Sequence, residues 1–221
     1  MTARRPAVKI CGIRTEADAR LARDAGADYV GLVLAGSPRR VDEETAGRVA
    51  RAVEIPAVGV FVDRDAEKIL ALAGEIGFRV AQLHGGEPPE VCRRLRASGL
   101  EVWKALRPAS REALADLADR YAPDVDALLV EGFSASAAGG TGAGFPHEWL
   151  HGVPRAPGRP RLVLAGGLTP EGVAAAVARV RPDVVDVSSG VERRPGEKDP
   201  ELVRAFVRNV RAAARAVGGP A

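Results

Sequence analysis

Eight apolar, β-branched segments recur along this chain, and segments with helical spacing separate them. The apolar segments are continuous rather than alternating, which is typical of strands that are covered on both faces. They are Val8–Cys11, Tyr29–Leu34, Val58–Val62, Val80–Leu83, Val102–Leu106, Ala127–Val130, Leu162–Ala165 and Val184–Val187. The helical segments are Glu16–Ala25, Glu43–Val53, Ala66–Ile76, Pro88–Ala97, Ser110–Tyr121, Pro146–His151, Pro170–Val180 and Pro200–Val217. This alternation predicts a parallel sheet whose strands are connected by helices.

The number of repeats decides between a closed and an open sheet. Eight strand–helix units in 221 residues predict a single-domain (β/α)8 TIM barrel over residues 1–221. A doubly wound open sheet is the competing architecture, but it usually carries Gly-x-Gly-x-x-Gly after the first strand, and here that strand ends in Cys-Gly. Thr169 before Pro170 is a plausible helix N-cap. Glycines expected to end helices in a left-handed turn are Gly26, Gly77 and Gly99.

Composition narrows the class of protein. The net charge is only +3, and the arginines are scattered, so we expect no nucleic-acid partner. No apolar stretch is long enough to span a bilayer, and no signal-peptide core follows Met1, so we expect a cytoplasmic protein without a membrane partner. Cys11 and Cys92 are expected to be free thiols. With three histidines and no Cys-x-x-Cys, we expect no metal site.

Cys11 ends the first predicted strand, where barrel enzymes place catalytic groups. The alternative is a small buried hydrophobic residue, which is the commoner fate of a free cysteine. A thiol that acts as a base near neutral pH needs a pKa below its usual value of about 8.5. Strand alternation places Lys9 on the same side as Cys11 but one layer deeper, so we do not expect it to lower that pKa easily.

Charged and polar residues end or follow other predicted strands. Glu131 closes the sixth segment and is a candidate general acid, with a pKa that we expect a partly apolar barrel mouth to raise. Arg39 lies in the second strand–helix loop and could bind a substrate carboxylate in a bidentate manner. Gln82 and His84 close the fourth segment and could bind substrate hydroxyl groups. The alternatives are a solvated loop residue for Glu131, a surface arginine for Arg39 and a structural histidine for His84.

Glycine-bearing exits follow the last two strands. Glycine lets backbone N–H groups approach an anion closely, and barrels frequently bind phosphate at this pair of loops. The candidate phosphate-binding residues there are Gly166, Gly167, Ser188, Ser189 and Gly190. Gly142, in Gly139-Gly140-Thr141-Gly142, belongs to a third glycine-rich exit within the predicted loop Ser134–Gly144. The chain is therefore predicted to bind a small phosphorylated molecule.

Several ordered motifs together resemble the phosphoribosylanthranilate isomerase family, from Val8 to about Phe206. They are Lys-Ile-Cys-Gly-Ile at 9–13, Ser-Pro-Arg at 37–39, Val-Gly-Val-Phe-Val at 58–62, Gln-Leu-His-Gly at 82–85, Gly-Gly-Thr-Gly at 139–142, Leu-Ala-Gly-Gly-Leu at 164–168 and Asp-Val-Ser-Ser-Gly-Val-Glu at 186–192. The resemblance implies a (β/α)8 barrel and a cofactor-free Amadori rearrangement of N-(5-phosphoribosyl)anthranilate in tryptophan biosynthesis.

The resemblance also implies roles for residues. In the family an acid protonates the furanose oxygen, the ring opens to a Schiff base, and a cysteine thiolate removes the proton from the second sugar carbon. By this resemblance Cys11 is the base, Arg39 holds the anthranilate carboxylate, Asp186 lies near the sugar, and the glycine-rich exits hold the phosphate. The general acid of the family is usually an aspartate, whereas this chain has Glu131.

Two further differences from the family pattern lie in the sixth loop, which lacks a basic residue after Gly142 and is longer before Trp149. These differences leave room for other functions. One is a paralogous isomerase that acts on another phosphorylated aminosugar. Another is a binding module that keeps the phosphate site without turnover. We expect a monomer or a homodimer.

Overall fold

The computed structural model describes residues 5–131, 149–150 and 158–218. Its eight parallel strands form a closed barrel in sequence order, because the first strand pairs with both the second and the eighth. The strands are β1 (Ala7–Cys11), β2 (Tyr29–Val33), β3 (Ala57–Phe61), β4 (Val80–Leu83), β5 (Glu101–Leu106), β6 (Ala127–Val130), β7 (Arg161–Leu164) and β8 (Val184–Val187). The predicted (β/α)8 barrel is confirmed, and each predicted strand lies within one residue of its observed bounds.

Within the described residues, seven α-helices connect the strands or follow the last of them. They are α1 (Glu16–Asp24), α2 (Glu43–Arg51), α3 (Ala66–Ile76), α4 (Pro89–Ala97), α5 (Arg111–Tyr121), α6 (Val173–Val180) and α7 (Pro200–Gly218). Side-chain caps fix the start of several helices. The Thr15 hydroxyl accepts from the Asp18 N–H at 3.1 Å, and the Asp42 carboxylate accepts from the Thr45 N–H at 2.7 Å. The strand–helix loops therefore have defined ends at the barrel mouth.

Three local features test the predicted helix boundaries. Gly26, Gly77 and Gly99 have φ values of 93°, 88° and 88°, which confirms the expected left-handed helix ends. The predicted N-cap at Thr169 is wrong for the α-helix, because α6 begins only at Val173. The Thr169 hydroxyl instead accepts from the Gly172 N–H at 3.2 Å and closes a separate turn before the helix. The segments predicted at Pro146–His151 and Ser134–Gly144 lie largely or wholly outside the described residues.

A short antiparallel hairpin between β8 and α7 was missing from the sequence prediction. It consists of β9 (Glu192–Arg194) and β10 (Glu197–Lys198). Gly196 in its turn has a φ of 84°, a conformation that glycine adopts readily. The Pro-Gly dipeptide at 195–196 is a turn signal that could have revealed the hairpin.

The core has two apolar layers. Outward-facing strand residues such as Val8 and Ile10 pack against the helices. Inward-facing residues such as Trp103, Leu129 and Val163 fill the lower part of the barrel. The fill prevents a pore and places the polar inward-facing groups at and just below the mouth. Among the described residues, no helix combines the length and apolar character that crossing a membrane requires.

Candidate active site

The barrel mouth brings together the side chains that end the strands. Cys11 is the last residue of β1, His84 follows β4 and Glu131 follows β6. The barrel order places Cys11 and Glu131 on opposite sides of β7 and β8. Any ligand anchored at the exits of those two strands would therefore lie between a thiol and a carboxylate.

The Cys11 thiol is nearly enclosed. The residue is 9% exposed, and a β-carbon added to Gly31 on the neighbouring strand would lie 2.8 Å from the sulphur. Burial raises the pKa of this thiol, because the thiolate loses its hydration there. The adjacent Lys9 ammonium lowers the same pKa, but less than burial raises it. The thiol is therefore protonated at neutral pH when no ligand is bound.

Directly beneath the thiol lies a buried ion pair. The Lys9 Nζ lies 3.0 Å from both carboxylate oxygens of Asp186, and the two side chains are 0% and 8% exposed. Burial alone would lower the pKa of Lys9, but the charges of Asp186 and Cys11 and their hydrogen bonds raise it overall. Asp186 thus sits deep in the barrel and neutralises an ammonium group below the mouth.

Glu131 is held by two basic side chains. The His84 Nε2 lies 3.0 Å from the Glu131 Oε1, and the Arg107 Nε contacts the same oxygen. Burial raises the pKa of Glu131, but these two partners outweigh it and lower the pKa to about 2. The expectation of a raised pKa is therefore wrong for the ligand-free protein, because the mouth at this point is ionic rather than apolar.

Gln82 and His84 bind each other. The Gln82 Nε2 lies 2.8 Å from the His84 Nδ1. If the amide donates to Nδ1, the ring proton is on Nε2 and points to Glu131, a tautomer that follows from the network. The Gln82 Oε1 is buried and has no hydrogen-bond partner among the described residues. It is thus an acceptor available to a ligand or water in the barrel.

Arg39 lies over Gly12, next to the thiol, and binds a carboxylate of the protein itself. Its Nε lies 2.9 Å from the Glu192 Oε1, and its Nη2 lies 2.7 Å from the Glu192 Oε2. Glu192 also accepts from the Lys198 Nζ at 2.8 Å. Because Glu192 occupies the Nε side of the guanidinium, the end formed by Nη1 and Nη2 is the one that a second carboxylate can approach.

The exits of β7 and β8 pack against each other. Gly166 and Gly167 are exposed and have φ values of 85° and 66°. A β-carbon on Gly190 would lie 1.9 Å from the Leu168 carbonyl oxygen. The Ser188 hydroxyl donates to the Cys11 carbonyl at 3.1 Å, which ties this exit to β1.

The structure thus brings the predicted exit residues together, including Ser189, which begins a 3-10 turn after β8. Gly142 lies outside the described residues. Among the residues that the structure does describe, no three His, Cys, Asp or Glu side chains come together to hold a metal ion.

Sequence reasoning missed three features of this site. It did not anticipate that Lys9 lowers the pKa of the thiol, that Arg107 pairs with Glu131, or that Glu192 binds Arg39. Arg107 could have been found, because it follows β5 with the same inward alternation as Trp103. Arg39 and Glu192 are 153 positions apart in the sequence, whereas Lys9 and Cys11 are two residues apart on one strand.

Comparisons with known proteins agree with the barrel fold. The sequence profile of the family described as N-(5'phosphoribosyl)anthranilate (PRA) isomerase matches residues 8–209. An N-(5'-phosphoribosyl)anthranilate isomerase from Citrifermentans bemidjiense is 45% identical over 90% of this chain and 94% of its own length. The enzyme of the same name from Rubrobacter xylanophilus is 44% identical over 90% of this chain and 96% of its own length.

Solved structures give the same result. The phosphoribosyl anthranilate isomerase of Thermotoga maritima superimposes with a TM-score of 0.85 at 35% identity, over 94% of this chain and 99% of that one. A structure of phosphoribosyl anthranilate isomerase in complex with reduced 1-(o-carboxyphenylamino)-1-deoxyribulose 5-phosphate has a TM-score of 0.79 at 35% identity, with coverage of 94% and 99%. This chain therefore belongs to the N-(5'-phosphoribosyl)anthranilate isomerase family.

Proposed function

We propose that the protein isomerises N-(5'-phosphoribosyl)anthranilate to 1-(2-carboxyphenylamino)-1-deoxyribulose 5-phosphate in tryptophan biosynthesis. The observation that carries this proposal is the position of Cys11 and Glu131 on either side of the glycine-bearing exits of β7 and β8. An aldose–ketose isomerisation needs a base at one sugar carbon and an acid at the ring oxygen. The family and its named relatives support the same intramolecular isomerase activity.

In the proposed mechanism Cys11 is the base. After the furanose ring opens, the nitrogen lone pair forms the C=N bond of the Schiff base. The thiolate then takes the proton from the second sugar carbon, the electrons of that C–H bond form the carbon–carbon double bond of the enolamine, and the π electrons of the C=N bond return to the nitrogen. The enolamine tautomerises to the ketose. Because burial raises the pKa of the thiol, the reaction needs nearby positive charge to make the thiolate accessible.

Glu131 delivers the proton that opens the ring. With a pKa of about 2 beside His84 and Arg107, the Glu131 carboxylate holds almost no proton at neutral pH in the ligand-free protein. We infer that Glu131 takes up its proton when a bound ligand loosens these contacts. Arg107 is 53% exposed on its side chain and can leave Glu131 when a ligand enters. The acid is therefore the Glu131 carboxyl group after the departure of Arg107 has raised its pKa.

The remaining residues bind the substrate. Arg39 holds the anthranilate carboxylate with the end of its guanidinium that Glu192 leaves accessible, and Asp186 faces the sugar. Gln82 and His84 are the candidates for contacts with sugar hydroxyl groups. The phosphate is assigned to the exits of β7 and β8, with the residues Gly166, Gly167, Ser188, Ser189 and Gly190, and to Gly142. Backbone N–H groups of glycine-rich loops suit a phosphate, because they can approach its oxygens closely and donate hydrogen bonds to them.

The test is turnover of the aminoaldose phosphate, followed as loss of anthranilate fluorescence. Cys11→Ala should abolish turnover, whereas Cys92→Ala, the matched removal of the other buried thiol, should leave most of it. No turnover by the wild-type protein would contradict the assigned function. Full turnover by Cys11→Ala would contradict the assigned base.

The glutamate in place of the family's usual aspartate favours one second candidate, a paralogous isomerase of another phosphorylated aminosugar. The longer side chain places its carboxyl group about 1 Å or more from the position of the shorter one, a shift that can cost on the order of a hundredfold in rate. Comparing several aminoaldose phosphates decides between the two. If Glu131→Asp sharply raised turnover of the anthranilate substrate, the paralogue would gain support.

Three further properties remain proposals. We infer a cytoplasmic location from the expected free thiols, and a reaction that needs no cofactor. We also propose a monomer or a homodimer. The similar enzyme of Thermotoga maritima is dimeric. Sedimentation of this chain would give its own state.

A further inference from the structure

A fully buried lysine lies beneath the thiol at the barrel mouth. Lys9 is 0% exposed and is the inward-facing residue of β1 just below Cys11. The Lys9 Nζ and the Cys11 Sγ lie 3.0 Å and 2.8 Å from the point that a β-carbon of Gly31 would occupy. The missing side chain of Gly31 therefore leaves a space that the ammonium group and the sulphur both border.

Stability alone does not explain this lysine. A buried ion pair such as Lys9 with Asp186 is often no more stabilising than apolar residues of the same size. The other lysine buried in the barrel wall, Lys104, is different. Its Nζ binds the Gly85 carbonyl at 2.6 Å and the Glu87 carboxylate at 3.0 Å, and so ties a loop to β5. Lys9 instead binds Asp186 on the neighbouring strand β8, and the thiol borders the same space above Gly31.

We propose that Lys9 is a positioning residue that stabilises the thiolate of Cys11, and that Asp186 limits this effect by sharing the ammonium group. The proposal rests on the proposed function, in which Cys11 is the base. Lys9 is positively charged and Asp186 is negatively charged, so the two residues change the pKa of the thiol in opposite directions. Lys9 lowers the pKa of the thiol, and Asp186 raises it.

The other charged groups that face the sulphur come from the loop after β2 and from the β9–β10 hairpin. They are Arg39 and Lys198, and both donate to Glu192. Their positive charge is therefore partly balanced by Glu192, whereas the Lys9 Nζ and the sulphur border the same space above Gly31. Lys9 is accordingly the cation whose removal should change the thiol most.

The experiment measures the alkylation rate of Cys11 by iodoacetamide at pH 8 in the substrate-free protein, with Cys92→Ala in every variant. Below the pKa of the thiol, this rate follows the thiolate fraction. A charge within about 4–6 Å shifts a pKa by one unit or more, so Lys9→Met should slow alkylation about tenfold. Asp186→Asn should speed it about tenfold for the same reason.

The matched control removes the other buried ion pair, which joins Lys104 of β5 to Glu87. Lys104→Met with Glu87→Gln should leave the alkylation rate of Cys11 unchanged. Equal rates in Lys9→Met, Asp186→Asn and wild type, or changes in the same direction, would overturn the proposal.

If circular dichroism shows that Lys9→Met is unfolded, the double variant Lys9→Met/Asp186→Asn replaces it, and it should react about tenfold more slowly than Asp186→Asn. A double variant that reacts as fast as Asp186→Asn would overturn the proposal. Alkylation needs no turnover, so its outcome is separate from that of the fluorescence assay. If the alkylation rates of the variants change as expected but the wild-type protein turns over no aminoaldose phosphate, only the proposed function is contradicted.

Discussion

Replacing Arg107 with methionine should raise the pKa of Glu131 and make its proton available. The guanidinium contacts the Glu131 Oε1, which the His84 Nε2 also approaches to 3.0 Å. Methionine keeps much of the length and apolar stem of arginine but removes the charge. The variant therefore changes the electrostatics of the carboxylate more than its packing.

The size of the effect follows from the charges and their exposure. Lowering the pKa of Glu131 from its usual 4.5 to about 2 corresponds to roughly 3 kcal/mol in favour of the ionised form. The Arg107 side chain is 53% exposed, so water screens its share, while His84 is 17% exposed. We therefore assign Arg107 about one pKa unit, or about 1.4 kcal/mol.

Carbon-13 NMR of the glutamate carboxyl groups measures this pKa directly, and Glu131→Gln identifies the signal. The pKa should rise by about one unit in Arg107→Met. At neutral pH the protonated fraction would then rise about tenfold, and kcat/KM for the aminoaldose phosphate should rise by up to the same factor if proton donation limits the reaction. Arg93→Met, which removes an exposed arginine paired with Asp124, is the matched control.

Two results would refute this reasoning. An unchanged pKa of Glu131 in Arg107→Met would mean that the guanidinium does not hold the carboxylate in solution. A raised pKa together with a large fall in kcat/KM would mean that Arg107 contacts the substrate, so that its removal costs more binding than it gains in proton donation.

Further variants test other contacts of the site. Glu192→Gln loosens Arg39, so KM should rise about tenfold with little change in kcat; an unchanged KM would contradict the carboxylate-binding role. Gly190→Ala places a β-carbon 1.9 Å from a backbone carbonyl and should cost about 1–3 kcal/mol of unfolding free energy in a thermal melt, whereas Gly74→Ala, with open space around it, should not. Glu131 has a lowered pKa, so its stabilising contribution is present above pH 4.5 and is lost as the pH falls towards about 2; Glu131→Gln should flatten urea-derived stability over that range, and an identical slope would contradict the pairing.

The fold could be predicted almost completely from local patterns. Continuous apolar segments, helical spacing between them and glycines after three helices are properties of short stretches of sequence, and the barrel needs only that they recur eight times. The hairpin of β9 and β10 was missed because its strands have only three and two residues. Such short segments carry no detectable periodicity.

The sequence could predict which residues form the candidate site, but not the charged partners that surround them. Strand ends identified Cys11 and Glu131, because alternation within one strand fixes which side chains face the mouth. The partners of those residues come from other strands. Lys9 meets Asp186 across 177 positions of sequence, and Arg39 meets Glu192 across 153.

The sequence by itself thus determined which residues reach the barrel mouth, since that depends on local periodicity. Only the tertiary structure decided their protonation. The pKa of Glu131 depends on the cations that closure of the barrel brings to its carboxylate, and that of Cys11 on burial as well as on Lys9. Coulomb interactions and desolvation act through distance in space, so residues far apart in the chain set the charge of each group.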